Sequence, residues 1–149
     1  MKVILASQSP RRAALLDLAQ IEYEIFPSNF DEKIKSIINI EEKSKELALG
    51  KALDVFNNTQ GDRTIIGADT LVERNGKIYG KPRDRSDAIK MLRELQGGTY
   101  TAYTSLAILI EDRGKYQEFK ELQKVDVTIS KMTDAEIIEY VDSEMPYDK

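Results

Sequence analysis

Five places in the sequence hold side chains able to do chemistry. Ser7-Gln8-Ser9-Pro10-Arg11-Arg12 puts two hydroxyls and two guanidiniums at the expected start of a helix. A helix N-terminus carries free amides and partial positive charge, so arginine in its first turn is slightly unfavourable. A polyphosphate bound there by the amides, Ser7, Ser9, Arg11 and Arg12 would reverse that; the alternative is that both arginines point into water. Gly67-Ala68-Asp69-Thr70 sets a carboxylate where a buried strand is expected to end, a favoured ligand position in α/β folds. Asp69 there could hold Mg²⁺ or orient a water, or could be a plain turn residue. A phospho-aspartate route needs a second Asp two positions away, and those positions hold Gly67 and Leu71. Asp31-Glu32 follows a second strand and is either a solvated turn or, with Asp69, an all-oxygen Mg²⁺ site. Lys81, in Gly80-Lys81-Pro82, is no P-loop lysine, because Pro82 stands where the hydroxyl belongs. It is an exposed loop cation or a phosphate neutraliser. Lys51 lies off the apolar stripe of its helix and reads as solvated.

Two absences narrow the chemistry further. Without Cys there are no disulfides, thiol nucleophiles or thiolate metal sites, and without His there is no imidazole base or His-ligated zinc. What remains is carboxylates, Lys, Arg, hydroxyls, Tyr, backbone amides and a hard, oxygen-ligated metal, a set that favours phosphate chemistry. The 149 residues suit one domain. Lys and Arg number 22 against 26 Asp and Glu, a net charge of −4 that argues against an electrostatically driven nucleic-acid or membrane binder. The longest aliphatic run, Leu106 to Ile110, is far below the roughly 20 residues that span a bilayer, and the default address is the cytoplasm.

The elements that must position these residues follow from period and punctuation. Residues 2–6 read as a buried strand, and Ser9-Pro10 opens a helix to about Ala19 with Ala14, Leu15 and Leu18 facing inward. Residues 23–26 read as a second strand and 41–57 as a helix. Residues 64–68 form the next buried strand, followed by a hairpin over 71–79 around Asn75-Gly76. Ser86 caps a helix stopped by Gly97-Gly98. Two long strands, 100–110 and 116–128, turn at Asp112-Arg113-Gly114, and Thr133 to Glu136 is a capping box opening a helix to about Ser143. Strands and helices interleave, so the expectation is an α/β domain with a mixed sheet.

Residues 3–12, 66–70 and 80–82 resemble, in order and spacing, the motifs of the Maf family of nucleotide pyrophosphatases, and Met145-Pro146-Tyr147-Asp148-Lys149 resembles its E-P-x-D-K segment. The resemblance covers the whole chain. It implies an inosine-triphosphate-pyrophosphatase-like α/β fold, with a twisted mixed sheet, flanking helices and two lobes with an active-site cleft. It implies hydrolysis of a nucleoside triphosphate between the α and β phosphates, a house-cleaning role, and a link to restraint of cell division and septum formation. Pro10-Arg11-Arg12 with Ala68-Asp69-Thr70 resembles the dTTP/UTP type; the 7-methyl-GTP type has Trp at the position of Arg11 and Ser and Gln at those of Ala68 and Thr70. Carried over, Asp69 is the proton acceptor, and Arg11 and Thr70 are specificity positions. Arg12, Glu32, Lys51 and Lys81 are charged positions around the phosphates and a divalent metal, Mg²⁺ with Mn²⁺ or Co²⁺ as alternatives. Glu32 and Asp69 are the metal-binding pair, and Lys81 joins Asp69 in catalysis. A homodimer is consistent with the resemblance. Its glycine-rich segment and last strands should follow Lys149, so residues 1–149 are expected to be a single domain lacking its C-terminal strands. A nucleotide-binding regulatory protein without activity is the competing reading.

Overall fold

A computed structural model describes residues 1–32 and 39–144. The E-P-x-D-K-like segment at 145–149 lies outside the described residues. The elements run β1 (Lys2–Leu5), α1 (Pro10–Leu18), β2 (Glu24–Ile25), α2 (Ile40–Asn57), β3 (Arg63–Arg74), β4 (Lys77–Tyr79), α3 (Arg85–Leu95), β5 (Gly98–Asp112), β6 (Lys115–Ile129) and α4 (Asp134–Glu144). One sheet takes the order β2-β1-β3-β5-β6, with β4 paired to β3. β1 is parallel to β2 and β3, whereas β4 is antiparallel to β3. The side-chain pairs Arg63–Glu111 and Thr70–Thr104 run in opposite directions along β3 and β5, and Thr99–Thr128 and Thr101–Asp126 do so along β5 and β6. These pairs are therefore antiparallel, and the sheet is mixed, as expected.

Contacts divide the chain into two compact units, Met1–Thr70 with Thr104–Gln123, and Leu71–Tyr103 with Lys124–Lys149. The core of the first joins Ile4 and Ala6 of β1, Ala48, Ala52 and Val55 of α2, Ile65 of β3, and Ala107 and Leu109 of β5. Asn39 caps α2 by accepting from the Glu42 amide at 2.9 Å. Small residues let α2 come down onto β3: a Cβ on Gly67 would sit 2.4 Å from the Ala48 carbonyl oxygen and 2.8 Å from the Ala52 Cβ. Buried Arg63 closes the other end, donating to the carbonyls of Phe56 (2.9 Å) and Gly61 (2.5 Å) and to Glu111 (2.5 Å). The second unit is built on Ala88 and Ile89 of α3 against Ile137 and Val141 of α4. A bidentate Arg85–Asp142 pair (2.6 and 2.9 Å) also joins these helices, and Arg74 donates to the Glu94 and Gln96 carbonyls at the end of α3.

Several expectations need correction. The strand at 64–68 and the first arm of the hairpin are one strand of 12 residues, so Asp69 lies inside β3 and not at its end. Gly67 and Asp69 disfavour strands, but pairing with β5 and burial under α2 override local preference. On α1 no residue is buried: Leu15 and Leu18 are exposed, and the side turned inward carries Arg12, Ala13 and Leu16. Asp84, not Ser86, caps α3, accepting from the Asp87 amide at 2.8 Å, because the helix starts at Arg85, two residues earlier than a Ser86 cap allows. The local signals elsewhere are realised. Asn75 and Gly76 both have positive φ, as a type I′ turn requires, and Thr133 exchanges hydrogen bonds with Glu136. No helix among the described residues is long and apolar enough to cross a membrane.

Gly67→Ala should lower stability by about 1–3 kcal/mol, because the added methyl meets backbone it cannot displace. Gly80→Ala, with open space around it, should stay within about 0.5 kcal/mol. Urea unfolding of the two variants measures the contrast.

Candidate functional site

Asp69 is the buried centre of the site. Strand alternation turns it to the same face as Ile65 and Gly67, under α2, where its side chain is 8% exposed. Lys51 sits one helical position before Ala52, and the close approach at Gly67 brings its ammonium to Asp69. Its Nζ donates to Asp69 Oδ1 at 2.6 Å and pairs with Glu32 Oε1 at 2.9 Å. The solvated reading of Lys51 is thus overturned; its side chain is 14% exposed and bridges two carboxylates. Asp69 Oδ2 is buried and has no hydrogen-bond partner among the described residues.

Around this pair the β1–α1 loop supplies cation and hydroxyls. Ser7 Oγ accepts from Arg12 Nη1 at 3.0 Å and from the Ser9 amide at 3.2 Å. Arg12 is half-buried; burial pulls its pKa below the usual arginine value, while the negative charge of Asp69 acts in the opposite direction. The expectation that both arginines might reach only water fails for Arg12, whose charge is felt at Asp69. Arg11 is exposed. Ser9 is the N-cap residue of α1, but its side chain makes no cap bond; its carbonyl accepts from the amides of Arg12 and Ala13.

Thr70 follows Asp69 on the strand and therefore points to the opposite face of β3, where its hydroxyl meets that of Thr104 at 3.1 Å. Ala68 shares that face. Lys81 belongs to the second unit, exposed in the loop between β4 and α3, and makes no hydrogen bond or ion pair among the described residues. The structure thus gathers Ser7, Arg12, Glu32, Lys51 and Asp69, and sets Thr70 beside them on the other face.

Sequence reasoning missed the groups that hold Glu32 in place. Asp54, one turn on from Lys51 along α2, accepts from the Ser28 hydroxyl (2.9 Å) and the Asn29 amide (2.8 Å). The Phe30 ring lies over Gly50, where a Cβ would come within 2.3 Å of it. A glycine inside a helix costs about 1 kcal/mol against alanine, so Gly50 was the available signal of close approach. Ser105 was missed as well. The β3–β5 register sets it opposite Asp69, and its buried Oγ also has no partner among the described residues. A groove lined by Asp17, Gln20, Ile21, Glu22, Tyr23 and Ile25 carries two carboxylates and no basic side chain, which suits no polyphosphate.

The sequence profile described as Maf-like protein matches residues 2–149. The chain belongs to the Maf family. A relative in Caldicellulosiruptor bescii named dTTP/UTP pyrophosphatase is 40% identical over 99% of this chain and 75% of its own length. One of the same name in Clostridium beijerinckii is 39% identical over all of this chain and 79% of its own. The fold of this Maf chain is similar to that of the Staphylococcus aureus Ham1 protein, with a TM-score of 0.54 at 15% identity, covering 85% of this chain and 72% of that one. The expected inosine-triphosphate-pyrophosphatase-like α/β fold, a mixed sheet flanked by four helices, is thereby established.

Lys51→Met should destabilise the protein by about 3–5 kcal/mol at pH 7, because it leaves the Asp69 carboxylate buried and uncompensated. Lys51→Met combined with Asp69→Asn should recover a large part of the loss, as read from chemical denaturation of both variants.

Proposed function

We propose that this Maf-family chain is a nucleoside triphosphate pyrophosphatase that hydrolyses dTTP and UTP to the monophosphate and pyrophosphate. The observation that carries the reading is the buried Asp69 with one oxygen fixed by Lys51 and the other without a partner among the described residues. That second oxygen is an acceptor for a proton from an attacking water, while Lys51 holds the carboxylate in one orientation. Ser105 Oγ, across the sheet register, offers a second polar atom to such a water. Attack at the α phosphorus breaks the bond to the β-phosphate oxygen, and pyrophosphate leaves. On this reading Arg12 and the amides at the start of α1 would hold the phosphates.

The same donors fit a divalent metal. Mg²⁺ takes hard oxygen ligands and commonly uses one or two carboxylates, with water and substrate phosphate completing its shell. On this reading Asp69 and Glu32, which share Lys51, would be the two carboxylates, with no group of three or more carboxylates among the described residues able to hold a metal by itself. A bound metal would neutralise phosphate charge and polarise the scissile group. Mn²⁺ and Co²⁺ suit the same donors.

The preference for dTTP and UTP rests on Arg11, Ala68 and Thr70 and on the names of the relatives at about 40% identity. Pyrophosphate release should be seen with dTTP and UTP, vanish with EDTA and return with Mg²⁺. Asp69→Asn should lower turnover by roughly 10²–10⁴-fold, the usual worth of a positioned base. Activity on 7-methyl-GTP with none on dTTP or UTP would reject the preference. Nucleotide binding without hydrolysis of any triphosphate would favour a regulatory protein.

A further inference from the structure

We propose that Ser105 is a positioning residue for the hydrolysis: its Oγ and Asp69 Oδ2 hold the attacking water between them, each accepting one of its protons. The proposal rests on the reading of Asp69 as proton acceptor and deepens it, because it assigns the second contact that aims the water.

The sheet brings the two side chains together. The pairs Arg63–Glu111 and Thr70–Thr104 fix the antiparallel register of β3 and β5, and that register sets Ser105 directly opposite Asp69. Opposed residues share a face and carry their Cβ atoms about 4.5–5.5 Å apart. The shared face is the one under α2, where Ser105 is followed by Ala107 and Leu109 of the first core. Ser105 is 0% exposed, and Asp69 is buried. Neither Ser105 Oγ nor Asp69 Oδ2 has a hydrogen-bond partner among the described residues, so the two do not bond to each other.

Packing does not account for the hydroxyl. Ala107, two residues on and just as fully buried, fills its place on the same wall with a methyl group. A buried hydroxyl without a partner lowers stability, so a methyl at position 105 would serve the core better. The carboxylate is not steadied by Ser105 either, since its Oδ1 takes the Lys51 ammonium at 2.6 Å. Two buried acceptors on opposed residues are what one water can bridge, since a buried water needs at least two polar partners.

Held in this way, the water is oriented for attack. With one proton on Asp69 Oδ2 and the other on Ser105 Oγ, the lone pairs of its oxygen turn away from both acceptors. As that oxygen bonds to the α phosphorus, the first proton passes to Asp69. The bond from phosphorus to the β-phosphate oxygen breaks, and its electron pair leaves with pyrophosphate. The second proton stays on the oxygen that joins the monophosphate. Asp69 alone would let the water turn about a single hydrogen bond; the second contact fixes its direction.

The test is steady-state hydrolysis of dTTP with Mg²⁺ by Ser105→Ala, Ser105→Cys, Asp69→Asn, and Ser105→Ala combined with Asp69→Asn, alongside urea unfolding. Ser105→Ala should lower kcat roughly 10–100-fold and leave KM within about twofold of wild type. It should unfold at the wild-type urea concentration or above it. Ser105→Cys keeps nearly the same shape but offers a weak acceptor, and should lose kcat as the alanine variant does. On the Asp69→Asn background, Ser105→Ala should change the residual turnover by less than about twofold, because Ser105 acts only on the water that Asp69 holds. Wild-type kcat in Ser105→Ala or Ser105→Cys, with Asp69→Asn impaired, would overturn the proposal and leave the reading of Asp69 standing. So would a full further loss from Ser105→Ala on the Asp69→Asn background, or unfolding of Ser105→Ala far below the wild-type midpoint. Undiminished turnover by Asp69→Asn, or no turnover by the wild-type protein, would overturn both.

Discussion

The contact between α2 and β3 is the constraint on which the site depends. Gly67 has no side chain, and Ala48 and Ala52 have almost none, so the helix backbone rests directly on the strand. Only at that separation does the lysine beside Ala52 reach a carboxylate two residues beyond Gly67. A larger residue at any of these three positions would lift the helix and separate Lys51 from Asp69. The packing that builds the first core therefore also sets the electrostatics of the site.

That electrostatic arrangement is economical. One ammonium serves two carboxylates of different kinds, a buried one held by the strand and an exposed one held by a loop. Asp54, Phe30 and Gly50 fix the loop by hydrogen bonds and packing to α2, so the same helix carries the lysine and anchors the segment that leads to its second partner. Among the described residues Asp69 retains an unpartnered oxygen in a buried place, an arrangement that is costly unless something uses that oxygen. The absence of His and Cys fits: a carboxylate, a lysine and an arginine cover the charges that phosphate chemistry requires.

Features governed by neighbours in sequence were legible. The Thr133–Glu136 capping box, the Asn75-Gly76 turn and the Pro10 helix start depend on residues a few positions apart, and each is realised. The end of β3 was not legible. Gly67 and Asp69 break the apolar pattern, and only β5 and α2, distant in sequence, keep the strand going. The inward side of α1 was misread for a related reason. Its apolar residues suggested a buried stripe at Leu15 and Leu18, but the helix turns Arg12, Ala13 and Leu16 towards the rest of the unit. Lys51 looked solvated because helical periodicity ranks residues by their own polarity and cannot see a buried carboxylate 18 positions away.

By itself the sequence determined the kind of chemistry and the family. Residue types limit the available acids, bases and ligands, and the motifs around Arg11, Asp69 and Lys81 keep a spacing that needs no structure to be read. Only the tertiary structure decided which of these groups share a charge environment. Asp69, Lys51, Glu32 and Arg12 come from four different segments, and Coulomb interaction and desolvation depend on distance in space, which sequence separation does not record.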